Sequence, residues 1–492
     1  MKCNKKFLAV VAAGALTVAT AVPALALENE FHGSFTSFYD LSNFTAAGND
    51  GFEQFKKDGV PASGLGTQNA TGLQKNAPTE NYFVQRVRLF YDAKASDNVK
   101  LVTKFELDYS FYGNSSFAVG RNSGGGIGAD SVQIETKNLY LELNYPAVNA
   151  KIGMQGYNDS FKGILFDDDM AGILLSHNYS NASVAAGFFR FLDNGSVIGK
   201  NDYDMISLDA KYHVAKDVKV GASYYYITDN RANASTVIRN PLFPVPTDGT
   251  SDTRIFTINP DGSKVYAPDT YLSVDHAANA VKVHTLGLNA EGAIGPVALN
   301  GFAMVQFGDR SEVQLFDQSV TRKAHGYAFN LGAKVPVGAG TLRSEFLYAA
   351  GGKNALYVTG NSTAGSHGGA FYDGEMIMLL RDKNAKTIDT AVVFDVNNYN
   401  QGLILGTIGF DHPCTDKITN SINAGFAAVA NNVNDSSTSN YIGTELNVES
   451  NYKLNANTTL GIRGGYMILG NYFKGLNADN PYDMKILANF AF

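Results

Sequence analysis

Charged residues at alternate positions are the first candidates for chemistry in this sequence. Arg86 and Arg88 alternate with Val87 and Leu89, so an extended segment places both guanidinium groups on one face and the aliphatic groups on the other. A strand of this kind separates water from an apolar phase. The same reasoning assigns nine charged residues to polar strand faces: Arg86, Arg88, Lys104, Glu106, Asp209, Lys211, Arg343, Glu445 and Arg463.

Three consecutive acids, Asp167, Asp168 and Asp169, form a second cluster. Adjacent carboxylates can bind a cation or set the charge of a passage. The triplet is also consistent with a solvated loop or an adventitious cation site. The two arginines are also consistent with a ladder of ion pairs. The residue types therefore make both groups candidate functional residues but do not assign them a role.

Patterns of enzymes and metal sites are missing from the sequence. None of the eight histidines forms HExxH or another close pair, so no metal site is expected. The glycine-rich run at 124–128 lacks the lysine and the strand-to-helix setting of a phosphate-binding loop. We therefore expect no catalytic residue, no cofactor and no enzymatic activity. A barrel enzyme such as a lipase is the weakest alternative.

The N-terminus has the three parts of a secretory signal peptide. Three lysines precede an apolar stretch at 7–20, and small residues at 24–26 supply a cleavage site. The apolar stretch is short for a transmembrane anchor, and Cys3 precedes it, which argues against a lipoprotein. We expect residues 1–26 to be removed after export, leaving a single domain over 27–492.

Charge and cysteine content exclude other classes of partner. The chain has 46 Asp and Glu against 39 Lys and Arg, and this excess of acid argues against nucleic acid as a partner. One thiol, Cys414, remains after loss of the signal peptide. Neither an internal disulfide nor a CxxCH haem site is therefore expected.

Period-two alternation runs from end to end of the chain. Between Val99 and Tyr109 apolar side chains alternate with lysines and acids, and segments 440–454 and 458–470 form a similar two-faced hairpin. After the signal peptide no apolar stretch reaches the length of about 18 residues that a transmembrane helix needs. We expect an all-β fold, a transmembrane antiparallel β-barrel of about 18 strands. The region 370–396 can hold a further hairpin or a short helix, so barrels of about 16 or 20 strands stay open.

The connections between these strands alternate in length. Eight are tight turns, whereas most of the others are long, notably 43–80, 111–131, 229–280 and 351–400. Short periplasmic turns and long external loops are typical of outer-membrane barrels. Five tyrosines shortly before tight turns predict an aromatic girdle: Tyr91, Tyr145, Tyr179, Tyr212 and Tyr452.

The last two-faced strand ends the chain on Phe492. With its signal peptide and hairpins, the chain resembles the Gram-negative outer-membrane porin superfamily, most of all the trimeric general and substrate-specific porins. The resemblance covers 27–492 and is architectural. The segment YNDSFKGILFDDDMAG at 157–172 is similar to segments of porin-like proteins of metal-reducing bacteria.

This resemblance implies a water-filled channel in the cell outer membrane for passive diffusion of small hydrophilic solutes or ions. It also implies a barrel surrounded by outer-membrane lipids, a homotrimer, and insertion by the barrel-assembly machinery, which reads a terminal aromatic such as Phe492.

In trimeric porins the third external loop folds inward, and its acids face arginines on the opposite wall. The corresponding loop here is 157–170, so the resemblance implies that its three consecutive acids face Arg86 and Arg88 across a constriction. Opposed charges across a narrow opening favour small dipolar and charged solutes. This loop is short for such a role.

One alternative assigns a different function to the same barrel fold. The barrel would be a scaffold that sheathes a multihaem cytochrome in an outer-membrane electron conduit. Because this chain has no haem motif, the cytochrome partners would be separate proteins.

Overall fold

Two-faced extended segments make up most of the structure, which is a computed structural model. It describes residues 28–44, 56–57, 60–61, 73, 75–110, 134–193, 202–229, 256–258, 264–266, 281–312, 320–359, 372, 374–381, 391–398, 400–432 and 439–492. The strands of the main sheet are β1 (Glu28–Ser42), β2 (Glu80–Ser96), β3 (Val99–Ser110), β4 (Glu135–Tyr145), β5 (Val148–Asn158), β6 (Asp167–Asn178), β7 (Ala182–Asp193), β8 (Asp202–Ala215), β9 (Val218–Asp229), β10 (Val281–Ile294), β11 (Val297–Glu312), β12 (in two parts, Val320–Ala324 and Tyr327–Val337), β13 (Gly340–Ala349), β14 (Leu403–Pro413), β15 (Ile418–Ala428), β16 (Tyr441–Lys453), β17 (Thr458–Leu469) and β18 (Tyr482–Ala491).

The sheet closes on itself. Each strand pairs antiparallel with its neighbours in sequence, and β1 pairs with both β2 and β18, so that Ser34 is registered with Arg88 and with Ala491. Both parts of β12 pair with β11, on either side of a break at residues 325–326, so β12 counts as one strand. Closure satisfies the backbone polar groups of every strand without water. The predicted 18-stranded barrel is confirmed.

Region 370–396 adds no strand to the barrel within its described residues. These residues hold one isolated bridge, Leu380 with Val393. The expectation of a further barrel hairpin there, and with it the alternatives of 16 or 20 strands, is wrong. Among the described residues, two short strand pairs (Lys56–Lys57 with Val60–Pro61, Phe256–Ile258 with Lys264–Tyr266) and two 3-10 helices (Gly352–Asn354 and Asn471–Leu476) lie apart from the barrel sheet.

The two faces of the barrel wall have opposite polarity. On β16, Leu446 and Val448 are 51% and 53% exposed, whereas Glu445 and Asn447, which alternate with them, are 0% and 3% exposed. In a water-soluble protein the apolar face would be the buried one. An apolar outer face, with polar side chains on the inner face of the same strand, matches a barrel surrounded by lipid.

The eight predicted tight turns are all present and lie at one end of the barrel, which we call the turn end; the other end is the loop end. The five predicted girdle tyrosines all lie near the turn end, on the outer face, with exposures from 38% for Tyr91 to 60% for Tyr179. There each ring can contact acyl chains while its hydroxyl reaches water. No helix among the described residues is long and apolar enough to cross a membrane. The predicted signal peptide lies outside the described residues.

The loop-end half of the lumen contains a packed apolar core. Its members come from the wall strands, such as Met205 and Leu347, and from two segments that enter the barrel, such as Phe161 and Leu379; all four are fully buried. We call residues 159–166 the short loop. Residues 374–381 and 391–398 together are called the inserted segment.

Candidate functional site

The short loop between β5 and β6 folds into the lumen around one carboxylate. The Asp159 carboxylate accepts hydrogen bonds from the backbone N–H groups of Phe161 at 2.7 Å, Gly163 at 3.0 Å, Leu165 at 2.6 Å and Phe166 at 2.9 Å. Burial raises the pKa of Asp159 to about 6, against the opposing effect of these four donors. The inward fold implied by the porin resemblance is therefore present in the structure, although the loop is short.

Apolar packing and a second carboxylate hold this loop against the wall. The Phe161 ring lies against Gly287 of β10, where an added Cβ would stand 2.4 Å from the ring. Asp209 of β8 accepts hydrogen bonds from Tyr157 at 2.7 Å, Ser160 at 2.8 Å and Tyr225 at 2.8 Å. Asp209 thus anchors the loop to the barrel wall.

A charged bridge runs from the tip of the short loop to β13. Lys162, in the left-handed conformation with φ of 67°, places its Nζ 2.8 Å from Oε1 of Glu345. The same oxygen accepts a hydrogen bond from Asn330 at 2.8 Å and one from the Tyr372 hydroxyl. Lys162 therefore links two parts of the lumen that are far apart in sequence.

The inserted segment is held by Glu445 of β16. This carboxylate accepts hydrogen bonds from three consecutive backbone N–H groups, those of Ile377 at 2.8 Å, Met378 at 3.0 Å and Leu379 at 2.6 Å. Asn447, two residues along the strand, donates to the carbonyl of Glu375 at 3.1 Å. Glu445 was expected to face open water in the lumen. It faces the lumen, but the chain itself covers it.

A polar cavity of about 450 Å³ lies beside the tip of the short loop, toward the turn end. Two buried amide atoms on its lining, Nδ2 of Asn289 and Oδ1 of Asn300, have no hydrogen-bond partner within the part of the chain that the structure describes. Five cationic and three acidic side chains line it: Lys162, Lys211, Lys219, Lys334, Arg343, Glu291, Glu345 and Glu375. The lining therefore carries an excess of positive charge.

The predicted acids and arginines lie on one wall, within β2 to β6. Glu106 pairs with Arg86 at 3.3 Å and with Arg88, and Lys137 of β4 joins Glu106 at 3.7 Å to Asp169 at 3.1 Å. The Asp167–Asp169 triplet begins β6 and is not part of the loop. The arrangement of these acids opposite the arginines across a constriction is therefore wrong: Asp169 is connected to Arg86 and Arg88 by ion pairs through Lys137 and Glu106 on the same wall.

Four further predicted residues lie apart from this ion-pair chain. Lys104 lies over the Phe90 ring, 5.7 Å from its centroid, on the same wall as Glu106. Arg343 lines the cavity and pairs with Asp411 at 2.6 Å and with Glu375 at 3.1 Å. Arg463 is 2% exposed and is registered with Glu449. Lys211 lines the cavity with Arg343, so the structure brings together only part of the predicted set.

Sequence reasoning missed Lys162, Glu345 and Glu375. A signal for Lys162 was present: a loop that contains Phe161 and Phe166 cannot be a solvated external loop without exposing large aromatic rings. Glu345 lies two residues from Arg343 on the same strand, so the alternation that assigns Arg343 to the polar face also marks Glu345. Its pairing with Lys162 has no signal in the sequence, because it follows from where the loop tip arrives.

The terminal Phe492 lies at the seam of the barrel. Its backbone N–H donates to the carbonyl of Gly33 at 3.0 Å, and its carbonyl accepts from the N–H of Gly33 at 2.8 Å. Its ring is 45% exposed on the outer face, near Phe31 and Phe490. The residue thus completes the pairing of the last strand with the first.

Nothing in the described residues supports the cytochrome scaffold. The space that a cytochrome would need in the loop-end half holds buried side chains of the chain itself, among them Leu356, Met378 and Val393. Within the same residues, no group of three His, Cys, Asp or Glu side chains is placed to bind a metal ion.

No family model and no curated protein matches this sequence. Solved structures similar to it include the outer-membrane protein OpdK of Pseudomonas aeruginosa, 9% identical with a TM-score of 0.49, covering 94% of this chain and 98% of that chain. OccAB1 of Acinetobacter baumannii is 10% identical with a TM-score of 0.48 and coverages of 94% and 96%. OccK2 (OpdF) of Pseudomonas aeruginosa, solved in complex with glucuronate, is 10% identical with a TM-score of 0.48 and coverages of 94% and 98%.

Proposed function

We propose that this protein is an outer-membrane porin, a channel for passive diffusion of small hydrophilic solutes or ions. The observation that carries the proposal is a closed barrel with an apolar outer face and a polar cavity of about 450 Å³ inside it. A barrel of this size leaves room for an aqueous channel where loops do not fill it. The chain performs no chemistry on the solute.

The charges of the cavity give the channel a preference for anions. Five cationic side chains against three acidic ones line it, and charge excess in a narrow aqueous space concentrates ions of the opposite sign. The ion-paired wall of β2 to β6 contributes less, because Glu106 neutralises part of the charge of Arg86 and Arg88.

Liposome swelling tests the proposal. Purified protein reconstituted without any partner should admit glucose and cause swelling, and admission should fall as the sugar becomes larger. Protein unfolded by boiling before reconstitution serves as the control. Absence of swelling with correctly folded protein would refute the channel.

The export and assembly steps belong to the same proposal. Residues 1–26 would be removed as a signal peptide, and the barrel-assembly machinery would insert the chain and read Phe492. The barrel would then form a homotrimer in the lipid, as the porin resemblance implies.

Deletion of Phe492 should lower the outer-membrane yield without blocking export to the periplasm. An unchanged yield would mean that Phe492 is not an assembly signal. The finer resemblance to porin-like proteins of metal-reducing bacteria stays a prediction.

A further inference from the structure

The outer face of the barrel has a depression of about 1090 Å³ across β7 to β12, which we call the outer groove. One outward-facing residue from each of these strands lines it, and the six form a single registered row: Val184, Ala210, Ala222, Leu288, Ala303 and Phe329. Three of the six are alanines. The next row toward the loop end carries larger side chains, such as Leu208, Leu286 and Val305. The outer groove is therefore a low place in an otherwise bulky apolar surface.

The outer groove runs obliquely along the barrel wall. Phe329 lies near the loop end of β12, whereas Val184 lies near the turn end of β7. Five strand spacings separate these two strands, which makes the groove about 24 Å long. Half of a bilayer's hydrocarbon core is about 15 Å thick, so an acyl chain of one leaflet fits within this length.

A histidine lies on the same outer face, on the loop-end side of the outer groove. The His284 ring is stacked between Tyr226 and Phe307, with centroid distances of 4.6 Å and 5.0 Å. A hydrogen bond of 2.7 Å joins its Nδ1 to the Tyr224 hydroxyl. With the hydroxyl as donor, Nε2 carries the proton and can donate to an oxygen outside the chain. Because a polar ring is costly in hydrocarbon, this position favours a polar partner from the lipid.

Two lysines lie one step further toward the loop end. Lys282 of β10 and Lys323 of β12 are both exposed, and both are registered with Asp309 of β11. Lys323 forms an ion pair with Asp309 at 2.6 Å. This registered row thus carries two cations against one acid. Cationic side chains at a membrane surface attract anionic lipid head groups.

We propose that this face of the barrel binds one phosphorylated glycolipid of the outer leaflet. Its phosphate lies at Lys282 and Lys323, a head-group oxygen lies at His284, and an acyl chain lies in the outer groove. The order of charged, polar and apolar groups along the face is the order in such a lipid. The loop end faces the outer leaflet because the short turns of these barrels are periplasmic.

The lysine row favours a lipid over a second copy of this chain. An apolar outer face from another copy covers the groove but brings no phosphate to the lysines. The site also needs no ion conduction, so it stands or falls separately from the channel.

The head-group contacts are tested by Lys282→Gln with Lys323→Gln. This change removes both cations and leaves the outer groove as it is. Binding of diphosphoryl lipid A to the full chain in detergent, measured by native mass spectrometry, should weaken roughly thirtyfold, since each lysine near a lipid surface accounts for about a fivefold change in affinity.

The acyl-chain contact is tested by Ala222→Leu with Ala303→Leu. This change fills the outer groove and leaves every charge in place. The affinity for diphosphoryl lipid A should fall about tenfold, the effect of roughly two methylene groups that no longer reach the groove.

Each variant has a matched control. Lys417→Gln with Lys453→Gln removes two exposed lysines at the turn end. Ala424→Leu with Ala488→Leu adds the same side chains to the lipid face of β15 and β18, where Ala424 lies singly between Ile408 and Leu446. Both controls should bind the lipid as the parent does. Slower gel migration after boiling verifies that each barrel has folded.

Removal of the phosphates from the lipid identifies the group that the lysines recognise. Dephosphorylated lipid A should bind the parent roughly thirtyfold more weakly than diphosphoryl lipid A. Lys282→Gln with Lys323→Gln should bind both lipids alike, because two changes at one contact do not add. Equal binding of both lipids to the parent would overturn the phosphate assignment.

The remaining outcomes decide the occupant of the outer groove. If both folded variants bind diphosphoryl lipid A as tightly as the parent, the lipid site is overturned. If only the lysine variant weakens, the contact is ionic and the groove holds no acyl chain, which also overturns the proposal. If Ala222→Leu with Ala303→Leu instead dissociates an oligomer of this chain and leaves the lipid affinity unchanged, a second copy covers the groove and the lipid is excluded from it.

Discussion

The two halves of the lumen differ although the same strands build them. On β11, Met304 belongs to the apolar core of the loop-end half, whereas Asn300, on the same face and nearer the turn end, lines the polar cavity. Period-two alternation points both side chains inward and does not distinguish them. The difference comes from the segments that enter the barrel. They bring aromatic and aliphatic side chains to the loop-end half and leave the turn-end half to water.

The largest expected effect comes from introducing an arginine into each half of the lumen and comparing how well the two variants fold. Met304→Arg places a guanidinium in the packed half without a partner, at a cost of roughly 3–5 kcal/mol for an uncompensated buried charge. Asn300→Arg places the same group in the cavity, where it meets water. We expect the first variant to lose most of its folded barrel and the second to fold normally, as judged by gel migration before and after boiling. Normal folding of both variants would mean that the loop-end half is also aqueous.

The outer face supplies the next test, since it is apolar along both halves. Leu288 is 65% exposed on the lipid face of β10, and its neighbour Asn289 lines the cavity. Leu288→Arg should destabilise the barrel by roughly 2–4 kcal/mol, the cost of Arg near the middle of a bilayer. Asn289→Arg should assemble and raise the preference for anions. The unfolding free energy in lipid vesicles measures the first effect, and the opposite ranking of the two variants would mean that the register is shifted by one residue.

Smaller effects are expected where the short loop meets the wall. Asp209→Asn weakens the hydrogen bonds from Tyr157, Ser160 and Tyr225, each of a kind worth about 1.5–3 kcal/mol when one partner is charged. The thermal unfolding midpoint in detergent should fall, and the channel current should become noisier as the loop moves. Asp217→Asn, at an exposed tight turn, is the control and should change neither quantity. Equal behaviour of the two variants would remove Asp209 from its anchoring role.

The sequence predicts the barrel wall but not the contacts that its inward-facing residues make inside the lumen. Strand number, turns, girdle tyrosines and the inward face of residues such as Asp209 and Glu445 follow from local alternation. The partners of these residues do not. Glu445 receives N–H groups from a segment about seventy residues away in sequence, a contact that no local pattern encodes. The same limit explains the error at Asp169, whose partner Lys137 lies two strands away.

The smallest expected effect compares the charges of the two walls. Lys211→Gln with Lys334→Gln removes two of the five cations that line the cavity, so the preference for anions should fall. Arg86→Gln with Arg88→Gln removes two cations that Glu106 already pairs, so its shift should be smaller. Reversal potentials under a salt gradient measure both shifts, which should shrink near 1 M salt, where the screening length is about 3 Å. A larger shift from the arginine pair would place the narrow part of the channel at the β2–β6 wall.

The central claim is that ions cross the barrel through the turn-end cavity. Thiol accessibility tests it most directly, in a Cys414→Ser background because Cys414 is exposed. Lys334→Cys places a thiol in the cavity, and Leu331→Cys places one on the lipid face of the same strand. A bulky, membrane-impermeant thiol reagent added during a planar-bilayer recording should reduce the current through Lys334→Cys and leave Leu331→Cys unchanged. A steady current through Lys334→Cys that the reagent does not alter, with modification of the thiol verified by mass, would contradict the claim.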